Sequence, residues 1–327
     1  MKRAVVLFNL GGPDALSAVR PFLFNLFNDP AIINYPAPLR WLLATIISRA
    51  RKKTAEAIYE KIGGRSPLLE LTRAQAKALE SELNQADDVT SRVFIAMRYW
   101  HPRAAQTAAE VAAYQPDEIV LLPLYPQYSA TTTGSSVTEW MEAIARWRLT
   151  ARTHVIRSYP ADRAFAAAQA DLLKQTMSQT AGASLRILFS AHGLPQKIVD
   201  AGDPYQIEVE QSANAIARAA GLTEADWAIC YQSKVGPMKW LEPSLDQELA
   251  RAAADKVGVA ILPIAFVSEH SETLVELDLE YRHKAEALGI ATYLRVPALG
   301  THPAFIRGLA DLVREASTEP TKLEAMS

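Results

Sequence analysis

The sequence predicts an α/β protein with two Rossmann-like lobes, each a four-stranded parallel sheet flanked by helices, and an active-site cleft between them. Three observations lead there. Short apolar runs alternate with longer helical stretches along almost the whole chain. The runs are continuously apolar, as strands buried on both faces of a parallel sheet must be. The length of 327 residues suits two domains of ordinary size. A composition 49% hydrophobic and 21% charged supplies a sizeable core and excludes a disordered chain.

Taken in order, the expected strands are residues 4–9, 92–97, 119–125 and 153–158, then 185–191, 227–232, 258–267 and 291–296. The first is the run Ala4-Val5-Val6-Leu7-Phe8, closed by the turn Asn9-Leu10-Gly11-Gly12-Pro13. Lys2 and Arg3 before it resemble the start of a signal peptide, but no small-residue cleavage pattern follows, so a buried strand is expected. Helices are expected over 68–83, 104–114, 162–179, 204–220 and 271–288. Eight strands divide as four and four, which places an N-terminal lobe at 1–160 and a second lobe at 161–297. Residues 298–327 form a C-terminal helix expected to pack back on the first lobe.

Charge narrows the partners. There are 34 basic and 36 acidic residues, and a net charge of −2 gives no reason to expect nucleic acid. The single cysteine, Cys230, allows no internal disulfide and no Cys-rich metal or iron–sulfur site, which points to a reducing, cytoplasmic setting. The lipophilic stretch from Trp41 to Ser48, between Arg40 and Arg49, is far too short to span a bilayer. At most the protein sits on a membrane surface.

Ligands of parallel α/β sheets bind outside the carboxyl ends of the strands. Polar and aromatic residues gather at those ends here: Asn9, Arg98-Tyr99, Tyr125, His192, Gln232-Ser233 and Ser268-Glu269-His270. His192, followed by a glycine, has an ordinary reading as an imidazole satisfied at a strand end, and a sharper one as a metal ligand or proton acceptor. Glu272, Glu276 and Glu280 recur every four residues and form one ridge, beside an apolar stripe of Leu274, Leu277, Tyr281, Ala285 and Leu288. The ridge reads as a solvated acidic edge, or as a path on which a passing cation relieves carboxylate repulsion. Gly11-Gly12-Pro13 and Gly63-Gly64-Arg65-Ser66-Pro67 match neither phosphate-binding fingerprint.

An ordered series of motifs runs almost end to end: Asn9-Leu10-Gly11-Gly12-Pro13, Ile62-Gly63-Gly64-Arg65-Ser66-Pro67-Leu68, Met97-Arg98-Tyr99 and Leu124-Tyr125-Pro126-Gln127-Tyr128-Ser129. It continues through Thr132-Thr133-Gly134-Ser135, Phe189-Ser190-Ala191-His192-Gly193-Leu194-Pro195 and Gln232-Ser233-Lys234-Val235-Gly236-Pro237-Met238-Lys239-Trp240-Leu241. Phe266-Val267-Ser268-Glu269-His270-Ser271-Glu272-Thr273-Leu274 ends it. In these the chain resembles the ferrochelatases, which insert ferrous iron into a porphyrin.

The resemblance implies a two-lobed chelatase with protoporphyrin IX and ferrous iron as substrates and protohaem as product. It places the metal-binding histidine on His192 and its glutamate partner on Glu272, facing each other across the cleft, with His270 a second catalytic histidine. Glu276 and Glu280 then continue a metal and proton path. Arg98, Tyr99, Tyr125, Trp240 and Phe266 line or support the porphyrin pocket, and Leu10 gives an apolar contact. Lys61 and Arg65 match more loosely, as holders of the propionates. Glu269 stands where aspartate is often found. No tightly bound cofactor and no iron–sulfur cluster are implied. Other expectations are a monomer and, through the apolar lip and basic run Arg49, Arg51, Lys52 and Lys53, peripheral contact with the inner face of the membrane. A coproporphyrin III ferrochelatase, another tetrapyrrole chelatase and a two-lobed tetrapyrrole-binding protein stay open as rivals.

Overall fold

A computed structural model describes residues 1–86, 88–147, 149–180, 182, 184–234, 236 and 238–318. Val235 and Pro237 of the sixth-strand motif, and residues 319–327 of the expected C-terminal segment, lie outside the described residues. The chain divides into two compact units: residues 1–125 with 129–158 and 309–318, and residues 126–128 with 159–308.

The first unit is built from β1 (Lys2–Asn9), α1 (Val19–Phe27), α2 (Ala37–Glu60), α3 (Leu68–Ala86), β2 (Thr90–Met97), α4 (Ala104–Tyr114), β3 (Glu118–Pro123), α5 (Ser135–Ile144) and β4 (Arg152–Val155). Its strands are parallel in the order β2-β1-β3-β4. Every residue of β1 after Lys2 is buried, as a strand covered on both faces requires. Phe8 and Trp140 pack edge to face in the core, with ring centroids 6.2 Å apart.

The second unit contains α6 (Arg163–Met177), β5 (Leu185–His192), α7 (Gln196–Asp200), α8 (Tyr205–Ala220), β6 (Trp227–Gln232), α9 (Leu245–Ala254), β7 (Gly258–Pro263), α10 (Arg282–Ala287) and β8 (Tyr293–Arg295). α11 (Pro303–Thr318) follows. The strand order is β6-β5-β7-β8, again all parallel, and so repeats the topology of the first unit. Leu188, Val259, Ile261 and Leu277 anchor the core.

The expected strands all form, with two systematic differences. β3 and β7 stop at Pro123 and Pro263 rather than continuing to 125 and 267, because proline cannot donate to a ladder. Their partners β4 and β8 are edge strands and are correspondingly short.

The larger difference lies at 271–288. Instead of one α-helix, residues Glu272–Tyr281 form a π-helical segment, with i→i+5 bonding and a wider turn, before α10 begins. The expected apolar stripe assumed an α-helical period. Leu277, Tyr281 and Ala285 are indeed buried, but Val275 joins them and Leu288 is 45% exposed.

Within each sheet the chain leaves the central strand to one side and returns to the other. β5 lies between β6 and β7, so the connections following β5 and β7 diverge at their carboxyl ends. This is a topological switch point, where a parallel sheet leaves a crevice. β1 and β3 make the equivalent point in the first unit.

Candidate active site

His192 is the last residue of β5 and pairs in register with Gln232 of β6. The crevice beside β7 receives the start of the π-helical segment, and Glu272 meets His192 there: Nδ1 lies 2.9 Å from Oε2. Sequence reasoning expected the two to face each other across a cleft. They lie instead in one unit, within hydrogen-bond reach, because both descend from the switch point of a single sheet. Tyr205 Oη donates to the His192 carbonyl at 3.0 Å and fixes the strand end. Gly193 is needed beside it, since a Cβ there would come within 3.0 Å of the Gln232 carbonyl oxygen.

The second carboxylate of the ridge is drawn into the same cluster. Glu276 accepts from Ser233 N at 2.9 Å, Ser233 Oγ at 2.5 Å and Gln232 Nε2 at 3.3 Å. Ser233 Oγ also stands 3.3 Å from Glu272 Oε2. Ser233 adopts a left-handed backbone, φ 65°, which turns its amide and hydroxyl toward the carboxylates. Gln232 is itself held by Ser190 Oγ at 2.7 Å. Glu280, the third of the ridge, is exposed. The ridge therefore runs from a half-buried end to solvent.

The electrostatics follow from this crowding. Burial disfavours charge on every member, but attraction outweighs it in the His192–Glu272 pair. Against that desolvation, the carboxylate raises the histidine's pKa, and the imidazolium holds Glu272 below the usual carboxylate range. For Glu276 the attraction of His192 is outweighed. Burial, and then repulsion from Glu272, lift it to about 7.

His270 has a different role. Its Nδ1 accepts the Glu272 backbone N–H at 3.1 Å, which puts the ring hydrogen of the neutral form on Nε2. Burial pushes its pKa down, so it is neutral near pH 7. The Phe266 ring meets it edge-on, centroids 4.4 Å apart. Glu269 turns away toward Arg295, 2.5 Å from Nη1. Trp240 is buried, bridged through its backbone to Pro195, and its indole N–H has no partner among the described residues.

The remaining expected residues lie in the first unit, four of them just beyond strand ends. Leu10 and Tyr99 pack in a satellite core with α1 residues Phe22 and Leu23. Arg98 does not present an open guanidinium: it binds Asp29 at 2.8 Å, Glu139 at 3.3 Å and Ser135 Oγ at 2.6 Å. Tyr125 carries a buried hydroxyl, and burial pushes its pKa up. Lys61 and Arg65 are exposed, and Arg65 pairs with Glu70 across solvent at 3.0 Å. Sequence reasoning flagged Gln232 and Ser233 only as polar strand-end residues. It missed Tyr205, Asp29 and Arg295, whose partners are remote in sequence.

Two like-wound parallel α/β units, one carrying a histidine–carboxylate pair at its switch point, define a chelatase-type protein. The fold agrees with the sirohydrochlorin chelatase SirB of Bacillus subtilis subspecies spizizenii, in complex with cobalt, at TM-score 0.58 over 98% of this chain and 97% of that one, with 12% identity. Residues 2–317 match the ferrochelatase family model. The chain is 58% identical to the ferrochelatase of Phenylobacterium zucineum (95% of this chain, 90% of the relative) and 53% identical to that of Caulobacter vibrioides (96% and 90%). The chain belongs to the ferrochelatase family.

Proposed function

We propose that this chain inserts Fe2+ into protoporphyrin IX, forming protohaem with release of two protons, and that His192 and Glu272 carry the exchange. As a family member it is an enzyme, a lyase of porphyrin and haem biosynthesis. The observation that carries the residue assignment is the 2.9 Å His192–Glu272 contact at a switch point, backed by a second carboxylate poised near neutrality. Iron enters as substrate, with no tightly bound cofactor and no iron–sulfur cluster.

Insertion must remove two pyrrole N–H protons and turn nitrogen lone pairs toward the ion. With Nδ1 engaged by Glu272, His192 offers Nε2 to accept a proton or present iron. Two protein donors leave the ion's other positions open to the macrocycle. Glu276 and Glu280 extend the path to solvent, and Glu276 can hold or release a proton as charge arrives. Leu10, Arg98, Tyr99 and Tyr125 of the first unit, and Trp240 and Phe266 of the second, are the candidate porphyrin contacts, and apolar contacts of this kind hold the ring bent. His270 braces Glu272 through its amide, and Lys61 and Arg65 meet the propionates.

The test is to mix the protein anaerobically with protoporphyrin IX and Fe2+, or with Zn2+, and follow the absorption spectrum. Catalytic appearance of metalloporphyrin is expected. A shifted porphyrin band without metalation would mean a binding protein, and turnover of coproporphyrin III alone would assign a different substrate.

The reading extends to location: a cytoplasmic monomer docked peripherally on the inner face of the membrane. No described helix is long and apolar enough to cross a membrane. α2 nevertheless exposes Trp41 (56%), Leu42 and Ile46. Arg49, Arg51, Lys52 and Lys53 follow on the same helix, each basic residue worth about 1 kcal/mol near an anionic surface. Salt-sensitive co-sedimentation with anionic liposomes is expected, weakened by Trp41→Ser with Leu42→Ser, while activity on detergent-solubilised porphyrin persists. Absence of wild-type sedimentation at low salt would restrict this face to a substrate gate.

A further inference from the structure

The π-helical segment needs an explanation of its own. Such runs are rare and usually confined to a single turn, yet here the i→i+5 pattern spans Glu272–Tyr281. It also fixes the site. Four residues overshoot one turn of an α-helix but fall short of one wider turn, so the register decides where Glu276 points relative to Glu272.

One side chain reaches both ends of the stretch that carries His270, Glu272 and Glu276. Arg295, at the end of β8 and 11% exposed, donates from Nη1 to Glu269 Oε1 at 2.5 Å. Its Nε and Nη2 make a fork onto Asp278, at 2.8 Å to Oδ1 and 2.5 Å to Oδ2. Glu269 precedes the segment, and Asp278 lies within it. Glu269 is pinned again by the Ala298 amide at 2.9 Å. Two further contacts fasten the segment and the start of α10 to β8: Tyr293 Oη to the Leu277 carbonyl at 2.5 Å, and Arg282 Nη1 to the Tyr293 carbonyl at 3.1 Å.

We propose that Arg295 is a positioning residue for metal exchange: by clamping Glu269 and Asp278 it holds residues 272–281 in the wide register, which sets Glu272 against His192 and Glu276 against Ser233. The inference rests on the assignment of His192 and Glu272 as the metal-exchanging pair. A planar guanidinium can bridge two carboxylates, one of them bidentately, whereas a lysine ammonium is a point charge without the fork. Without the clamp the segment relaxes toward α-helical winding, and Glu276 swings away from Ser233.

The experiment compares wild type, Arg295→Met and Arg295→Lys by Zn2+ calorimetry, by steady-state kinetics with metal and porphyrin varied separately, and by thermal melting. Loss of groups that orient metal ligands commonly weakens binding roughly 10–100-fold. Arg295→Met is expected to lose Zn2+ affinity by about tenfold or more, with a parallel rise in metal KM and a porphyrin KM within about twofold of wild type. Arg295→Lys should recover only part of this despite keeping the charge. A purely structural role would lower the melting temperature and leave the metal parameters of the folded enzyme unchanged; that result overturns the proposal. If Arg295→Met does not fold, Asp278→Asn supplies the comparison, with a smaller shift in the same direction expected and unchanged metal parameters overturning it. Wild-type Zn2+ binding indifferent to His192→Ala would overturn the metal-pair assignment, and this inference with it.

Discussion

The carboxyl ends of the two sheets carry charge in opposite ways. In the first unit Asp29 is buried and saturated: its Oδ2 accepts from Tyr99 Oη at 2.7 Å, Ser135 Oγ at 2.5 Å and Arg98 at 2.8 Å. Arg98 and Arg103 also share Glu139, so two guanidinium groups face two carboxylates. In the second unit Glu272 meets the His192 imidazole, and Glu272 and Glu276 converge on one hydroxyl, that of Ser233. There the side chains are partly open, with His192 37% and Glu272 29% exposed. The first arrangement is balanced and closed, and gains nothing from an added cation. The second carries surplus negative charge at an accessible point. The difference separates a charge network that braces a fold from one that can trade a metal for protons.

Breaking the second region should abolish chemistry while sparing the fold. His192→Ala is expected to lower metalation by at least roughly a thousandfold, within the range for removing a proton-transferring group. Porphyrin binding, followed by fluorescence quenching, should survive. Near-normal turnover would remove His192 from the mechanism.

A gradient should run along the ridge. Glu272→Gln is expected to cost roughly a hundredfold or more in kcat, whereas Glu280→Gln, about two helical turns further out, should cost less than about tenfold. Equal losses in the two variants would mean that the ridge acts as one unit.

Breaking the first region should cost stability. Asp29→Ala leaves the buried Arg98 guanidinium without its closest carboxylate, a change worth about 3–5 kcal/mol. Denaturant melts should show that loss. A melt within about 0.5 kcal/mol of wild type would show that the network relaxes or hydrates at little cost.

The smallest effect has the opposite sign. Because burial and Glu272 raise Glu276, the folded state binds its proton more tightly than the unfolded chain does. That stabilisation is present below the usual carboxylate range and fades as pH rises through about 7. Glu276→Gln should therefore stabilise the apo protein at pH 8, by about 1 kcal/mol after allowing for solvent screening, and give little or no gain at pH 5. A gain independent of pH would deny that Glu276 titrates in this range.

Much of this contrast was legible in the sequence, and what was not has physical reasons. Continuous apolar runs located the strands, and the motifs selected His192 and Glu272 from otherwise ordinary strand-end and acidic residues. The π register was hidden, because Glu272, Glu276 and Glu280 at intervals of four suit an α-helix equally well. Arg98 looked available because its carboxylate partners Asp29 and Glu139 lie far off in the chain. For the same reason Arg295 was indistinguishable from any surface arginine until Glu269, 26 residues away, closed on it. Long-range charge pairing leaves no local pattern.

Anomalous diffraction from crystals soaked in Co2+ or Zn2+ tests the central claim most directly. The expected result is a peak bonded at about 2.0–2.2 Å to a His192 ring nitrogen and a Glu272 carboxylate oxygen, absent from His192→Ala crystals. A peak bonded to neither residue, in crystals of enzyme that turns over, would contradict it.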